Sequence, residues 1–261
     1  MLRALYTAAL GMRAQQLGVD TIAHNLANAN TTAFKRARME FQDLFYQLVP
    51  VVPEQRDQRT PPAALELGHG VQAVATARSF LQGSLLETGN PLDLALMGDG
   101  FFQIERPDGT IVYTRDGSFT LNENGEIVTS TGLPLAGRFT IPPEADSVTI
   151  GADGVILVTL HGQSQSIQVG QIELARFINP EGLRPIGGNL YEATPSSGEP
   201  ILGVPGADGL GTIKQGFLEQ SNVDVVQEMV NLIVAQRAYE INTKMVQTTD
   251  ELWSMTNNIK R

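Results

Sequence analysis

Cysteine is absent from this 261-residue chain. That excludes a disulfide framework, a thiolate zinc site and a cysteine nucleophile, and it permits passage into an oxidising space without cross-linking. Long apolar runs are absent too: nothing approaches the ~18 to 20 residues that spanning a bilayer requires, so membrane insertion is not expected. Arg3 followed by Ala4 to Met12 imitates a signal peptide only faintly, because Arg13, Gln15 and Gln16 follow at once, and no cleaved leader is expected. Positive charge is scarce in the middle of the chain. Net charge is −10, and residues 39 to 221 carry nine Lys or Arg against 22 acids, whereas residues 1 to 38 carry five against one. An acidic body is a poor surface for nucleic acid, and the short cluster Lys35, Arg36 and Arg38 does not overturn that.

Clusters of chemistry are missing as well. His24, His69 and His161 are far apart, and none has a second His, Asp or Glu at metal-ligand spacing. Asp93, Asp99, Asp108, Asp116 and Asp153 each lie near a glycine or hairpin turn, which explains them better than paired catalytic carboxylates do. Gly206 to Gly211 lacks the strand, helix and Lys-Ser or Lys-Thr of a phosphate loop. No nucleophile, base and orienting group can be assembled, so no catalytic residue, metal or cofactor is assigned and an enzyme is not expected.

What is present begins at the C-terminus. Val234, Ala238, Ile241, Met245, Thr248, Leu252, Met255 and Ile259 step by four and three in alternation, the seam of a coiled-coil-like helix. Val223, Val226 and Val230 continue the stripe through a stutter of two successive steps of four. Asn222 or Asp224 suits the N-cap, and Lys260 and Arg261 suit the negative end. A helix from about Val223 to Lys260 would be roughly 55 Å long at ~1.5 Å per residue. Its narrow stripe, flanked by Gln236, Arg237, Glu240, Asn242, Lys244 and Asp250, needs partners.

A second helix is expected from Leu2 to about Ala29, with Leu5, Ala9, Met12, Val19, Ile22 and Leu26 on one stripe and Gly11 and Gly18 weakening it. Burying the two terminal stripes against each other is the economical arrangement, leaving any remaining apolar surface for other subunits. Residues 34 to 48 read as a mixed amphipathic piece, and Pro50, Pro53, Pro61 and Pro62, with Gln55 to Arg59, then lack donors and periodicity, so the arm 46–67 is expected to be extended or flexible. Alternating runs then dominate: Gly70 to Ala75, Leu92 to Leu96, Phe101 to Glu105, Thr110 to Thr114, Val155 to Leu160, Ile167 to Val169 and Gln171 to Phe177, with turn signals such as Asp116-Gly117 and Asn124-Gly125. The fold class is therefore α+β: long terminal helices forming a coiled-coil-like pair, with an inserted, mainly antiparallel all-β domain resembling a sandwich or partly closed barrel. The expected division is 1–35 with 222–261 as a helical core domain, 36–91 with 201–221 as a connector bearing the arm 46–67, and 92–200 as the β-rich outer domain.

Asn25-Leu26-Ala27-Asn28-Ala29-Asn30-Thr31-Thr32-Ala33-Phe34-Lys35-Arg36 resembles the N-terminal signature of the bacterial flagellar rod and hook proteins. The segment Ser221 to Asp224, Glu228 to Val230, and Gln236-Arg237-Ala238-Tyr239-Glu240-Ile241-Asn242 is similar to the family's C-terminal signature, as Gly100 to Gln103 and Tyr113 to Phe119 are to its centre. Length and the extension Tyr46 to Leu65 resemble the distal rod members, with two alternatives: the sister proximal rod member of similar size, or a monomeric β-domain binding module whose terminal helices close into a hairpin. The sequence departs at Ala33, where relatives often carry glycine, which counts against a positive-φ turn there.

The resemblance implies a self-assembling structural subunit of a hollow helical tube. Its terminal helices would line the inside, its β bodies would form the wall, and the arm around Tyr46, Pro50, Pro53, Pro61 and Pro62 would bridge neighbouring subunits. Leu5, Met12, Val19, Ile22, Leu26, Val230, Val234, Ala238, Ile241, Met245, Leu252, Met255 and Ile259 would form the assembly seam. Implied partners are copies of the chain itself, other rod proteins, the hook protein or its adaptor, the P- and L-rings as bushing, and the flagellar type III export apparatus. The implied location is the basal body, spanning the periplasm.

Overall fold

Two long helices, α1 over Leu2–Ala27 and α2 over Val225–Ile259, bracket a β-rich middle in the computed structural model, which describes residues 2–50, 64–162 and 165–259. Pro53, Pro61, Pro62, Lys260 and Arg261 lie outside the described residues, as do the side chains of Pro50 and Ile259. α2 starts at Val225 because Asp224 caps it: Oδ1 accepts from the Val226 and Gln227 amides at 2.9 and 3.1 Å. Asn222, the other candidate cap, is engaged elsewhere. α1 ends where Asn28 offers alternatives to the helical ladder, its carbonyl accepting from the Thr31 amide and its Oδ1 from the Thr31 hydroxyl.

The chain divides into two compact units. The first comprises Met1–Ala27, Ala37–Ala77 and Asp224–Arg261, and the second Asn28–Arg36 with Arg78–Val223. In the first unit the helices run antiparallel, the end of α1 meeting the start of α2 at Asn25 and Glu228, and the middle of α1 meeting α2 at Gly11 and Asn242. A Cβ on Gly11 would come within 3.0 Å of the Asn242 amide nitrogen, so the glycine that lowers helix propensity is what allows this approach. Thr243 donates to the Met12 thioether at 3.5 Å nearby.

The two stripes read from the sequence do not bury each other. Leu5, Met12, Val19, Ile22 and Leu26 on α1 are half-buried as expected. On α2, Val230, Val234, Ile241, Met245, Leu252 and Met255 lie between 49 and 63% exposed, and only Ala238 is half-buried. The side of α2 that meets α1 instead carries Glu228, Asn242 and Thr243, with Ala235 buried and Leu232 and Val246 half-buried at the same helical spacing. At about 100° per residue the apolar seam sits on nearly the opposite side of α2.

The described flanks of the arm are extended, and residues 51–63 between them lie outside the described residues. Tyr46–Pro50 and Ala64–Gly68 form an antiparallel ribbon with Tyr46 opposite Gly68 and Leu48 opposite Glu66. The prolines masked a period of two in which Tyr46 and Leu48 alternate with Gln47, and Leu65 and Leu67 with Glu66. A second ribbon pairs Ala37–Asp43 with Val71–Arg78.

The second unit is antiparallel throughout its described pairings and holds the protein's main core. Phe101–Glu105 and Ile111–Thr114 lie at the centre of a six-stranded sheet, flanked by Leu190–Glu192 and Arg184–Gly187 on one side and Leu174–Arg176 and Ile201–Gly203 on the other. A three-stranded sheet of Ala145–Ile150, Val155–Leu160 and Ser166–Gln171 packs beside it. Successive strand residues face opposite sides, so Phe102 enters the core of Leu94, Leu96, Ile104, Phe119, Ile127 and Ile156, while Phe101 joins Tyr113, Phe177 and Tyr191 in an aromatic cluster. Ring centroids in these clusters lie 4.8 to 6.2 Å apart, edge to face. Asp108, Asp116 and Asp153 each accept from the backbone amide two residues on, the turn chemistry expected of them.

Candidate assembly surface and its anchoring junctions

The residues of the N-terminal motif act as two polar fasteners, one in each unit. Asn25 is buried in the last turn of α1. Its Oδ1 accepts from the Ala37 amide at 2.9 Å while its Nδ2 donates to the Ala37 carbonyl at 2.8 Å, mimicking a strand pairing. The same Nδ2 donates to Glu228 Oε2 at 3.2 Å. One side chain thus ties α1 to the following strand and to the first turn of α2, and a buried amide with these bonds made is costly to replace.

The second fastener is an ion triad. Lys35 and Glu219 have no exposed side-chain surface and Arg115 has 3%. Lys35 Nζ donates to Glu219 Oε1 at 2.6 Å and to the Leu81 carbonyl at 2.7 Å. Arg115 donates from Nε to Glu219 Oε2 at 3.0 Å and from its terminal nitrogens to the Gly100 and Gly98 carbonyls at 3.2 and 2.8 Å. The Gly83 amide completes the carboxylate's set at 3.0 Å. Two cations share one carboxylate, so the cluster carries one excess positive charge. Burial, with the neighbouring Arg115 charge added to it, accordingly lowers the Lys35 pKa from 10.5 to about 8 against the pull of Glu219. Burial alone would raise Glu219, but Arg115, Lys35 and the Gly83 amide outweigh it and hold the carboxyl below its usual range.

Around the triad the two chain segments that lead out of α1 and into α2 are stitched together. The Ala33 amide donates to the Glu219 carbonyl at 2.8 Å, and Asn222 Oδ1 accepts from the Arg36 amide at 2.7 Å while its Nδ2 donates to the Ser79 and Leu81 carbonyls. Ala33 is buried with φ at 55°, so the positive-φ turn is present despite the missing glycine. The surrounding hydrogen bonds hold an alanine in a conformation that disfavours a Cβ by about 1 kcal/mol.

Beyond the fasteners, the first unit leaves its apolar residues outward. The open side of α2 runs from Val226 through Val230, Ile233, Val234, Ile241 and Met245 to Leu252 and Met255, and the Tyr46–Pro50 ribbon adds Tyr46, Leu48, Leu65 and Leu67, with Phe45 at its entrance. Among the described residues no group of three or more His, Asp or Glu is placed to hold a metal ion. The geometry suits protein association.

Three family models match the chain: the flagella basal body rod protein over residues 5–35, the flagellar hook protein FlgE/F/G D1 domain over 95–158, and the flagellar basal body rod FlgEFG protein C-terminal region over 214–259. The flagellar basal-body rod protein FlgG of Borreliella burgdorferi is 48% identical over 264 residues, covering the whole of both chains. The chain belongs to the flagellar basal-body rod protein family. Two members from Caulobacter vibrioides separate the branches: FlgG is 44% identical over 261 residues, covering 99% of this chain and all of its own, whereas FlgF is 36% identical over 254, covering 95% and 94%.

Within this family member the signature residues have distinct tasks. Asn25 and Lys35 are the fasteners, Phe34 is buried, Asn28 makes the turn, Leu26 is half-buried and Ala27 is exposed. In the C-terminal motif Arg237 and Glu240 form an exposed pair, Asn242 faces Gly11, and Gln236 and Tyr239 line a groove with Gln16 and Val19. Glu219, Arg115, Glu228 and Asn222 were not legible as fasteners. Their partners lie 104 to 203 residues away, and a lysine embedded in Ala33-Phe34-Lys35 was the one hint that a buried counter-ion exists.

Proposed function

We infer that the chain is a structural subunit of the flagellar distal rod. The observation that carries this reading is the higher identity to FlgG than to FlgF of one organism, and the outward apolar side of α2 supports it physically. A helix whose apolar stripe is turned away from its own partner helix is completed by other subunits, and a head-to-tail contact that does not close makes a filament. In this reading α1 and α2 form the inner wall of a hollow tube, residues 92–200 its outer wall, and the ribbon at Tyr46 bridges neighbours. The tube transmits torque across the periplasm to the hook, inside the P- and L-rings, from subunits delivered by the flagellar export apparatus. No catalysis is required of it.

The test is Ile241→Asp, which places a carboxylate in the middle of the outward stripe. Loss of polymerisation is expected, with the melting temperature of the second unit within about 2 °C of the parent, because a buried unpaired charge is expensive only where the contact forms. Sedimentation of polymer from purified subunits reads the outcome. Normal polymers from Ile241→Asp would remove α2 from the interface.

A further inference from the structure

Seven methionines are present in a chain without cysteine, so thioethers are its oxidisable sulfur. Met12 and Met39 are half-buried, each sulfur accepting from a threonine hydroxyl. Met229, Met245 and Met255 differ: all lie in α2, at 52, 49 and 54% exposed, on or beside the outward apolar stripe. Where α2 is seen to meet α1, at Glu228, Asn242 and Thr243, it does so through residues other than these methionines, and the sulfur there is that of Met12 on α1. In the free subunit these three side chains are about half open to solvent, and in an assembly built on this stripe they are covered.

We propose that Met229, Met245 and Met255 form an oxidation-sensitive modification site that makes the subunit incompetent to assemble, an inference that rests on the assembly reading of the outward α2 side. The reaction is two-electron oxidation by a peroxide. The thioether sulfur gives up an electron pair and bonds one peroxide oxygen, the O–O bond breaks, and with hydrogen peroxide the other oxygen leaves as water. The product sulfoxide is a polar, chiral acceptor on a side chain that had been flexible and apolar. Neighbours on the stripe are Val226, Val230, Ile233, Val234, Ile241 and Leu252, which have no side-chain donor, and Thr248, whose hydroxyl is already donated to the Met245 carbonyl. A sulfoxide buried there goes unpaired, and each one at the contact raises the subunit concentration needed for assembly by about tenfold. Once covered, the same sulfurs are protected, so vulnerability is confined to the subunit before incorporation. A methionine sulfoxide reductant restores competence.

Met97 provides an internal control, since it is 48% exposed but belongs to a strand of the second unit. Full-length subunits are treated with hydrogen peroxide to partial conversion and allowed to assemble. Polymer and supernatant are separated, and sulfoxide at each methionine is quantified by peptide mass mapping. The expected result is sulfoxide at Met229, Met245 and Met255 enriched about tenfold in the supernatant, with Met97 sulfoxide distributed evenly. Peroxide treatment of preformed polymer is expected to spare the three α2 sulfurs while oxidising Met97. Even distribution of all four sulfoxides overturns the proposal. The parallel Ile241→Asp chain then separates the two failures: if it does not polymerise, only the oxidation site is wrong, and if it does, the assembly reading of α2 falls with it.

Discussion

The two units bury their hydrophobic residues in opposite ways. The second surrounds Phe102, Ile104, Phe119, Ile127, Ile156 and Leu174 with paired strands, and these side chains are at most 1% exposed. In the first, Val234 and Ile241 are more than 60% exposed, and the helices meet at Gly11 with Asn242 and at the Asn25–Glu228 bond. One unit is finished as a monomer, and the other leaves apolar surface that the proposed assembly would cover. The difference places the buried core and the open apolar surface in separate parts of one chain, each with its own polar fastener.

The sharpest way to break that division is Glu219→Gln. It leaves two buried cations without a counter-charge and is expected to destabilise the second unit by about 3 to 5 kcal/mol. Lys35→Met leaves the Arg115–Glu219 pair neutral and is expected to cost less, about 2 kcal/mol. Segment-resolved hydrogen exchange checks both: protection around Ile104 and Ile127 falls while α2 is unchanged. Equal losses in the two variants would mean that the excess charge of the triad is not felt.

The pH dependence of the same triad comes next. The folded state releases the Lys35 proton near pH 8 and the unfolded state holds it to 10.5, so between these values the unfolded chain binds more protons. Stability from this residue therefore rises with pH through that window, the reverse of an ordinary lysine ion pair. The gain is about 3 kcal/mol for a shift of this size. It is measured as the difference between the parent and Lys35→Met in urea unfolding from pH 7.5 to 10. A falling difference would contradict the charge assignment.

On the other side of the comparison, Asn25→Ala removes the bonds to Ala37 and Glu228 and is expected to cost about 2 kcal/mol in the first unit alone. Trp253, the chain's one tryptophan, lies in α2 and reports this unit by fluorescence. The smallest effect is Asp224→Ala, about 1 kcal/mol from the lost cap, seen as faster amide exchange at Val226 and Gln227 with the second unit unaffected.

Many of the elements are legible without coordinates. Alternating runs at Phe101 to Glu105 and Val155 to Leu160 fall on strands, and the step of four and three from Val234 onward falls on α2. Asp224 is one of two candidate caps by residue type, and the aspartates beside glycines carry the turn signal that Asp108, Asp116 and Asp153 fulfil. Less legible were the flanks of the arm, where prolines hid the alternation of Tyr46 to Leu48 against Leu65 to Leu67. The turn at Ala33 was judged from the residue's own preference, but its φ is set by hydrogen bonds to Glu219 and its neighbours.

The sequence by itself determined the elements, because helical and strand periodicities are local and each residue's side is fixed by its spacing from the next. It also determined that α2 has an apolar stripe. Only the tertiary structure decided which way that stripe faces, since a helix can turn either side to its neighbour and the choice falls to particular contacts: Asn25 with Glu228 and Gly11 with Asn242. The triad of Lys35, Arg115 and Glu219 was decided there too, because a buried charge selects its partner by distance in space, which sequence separation does not record.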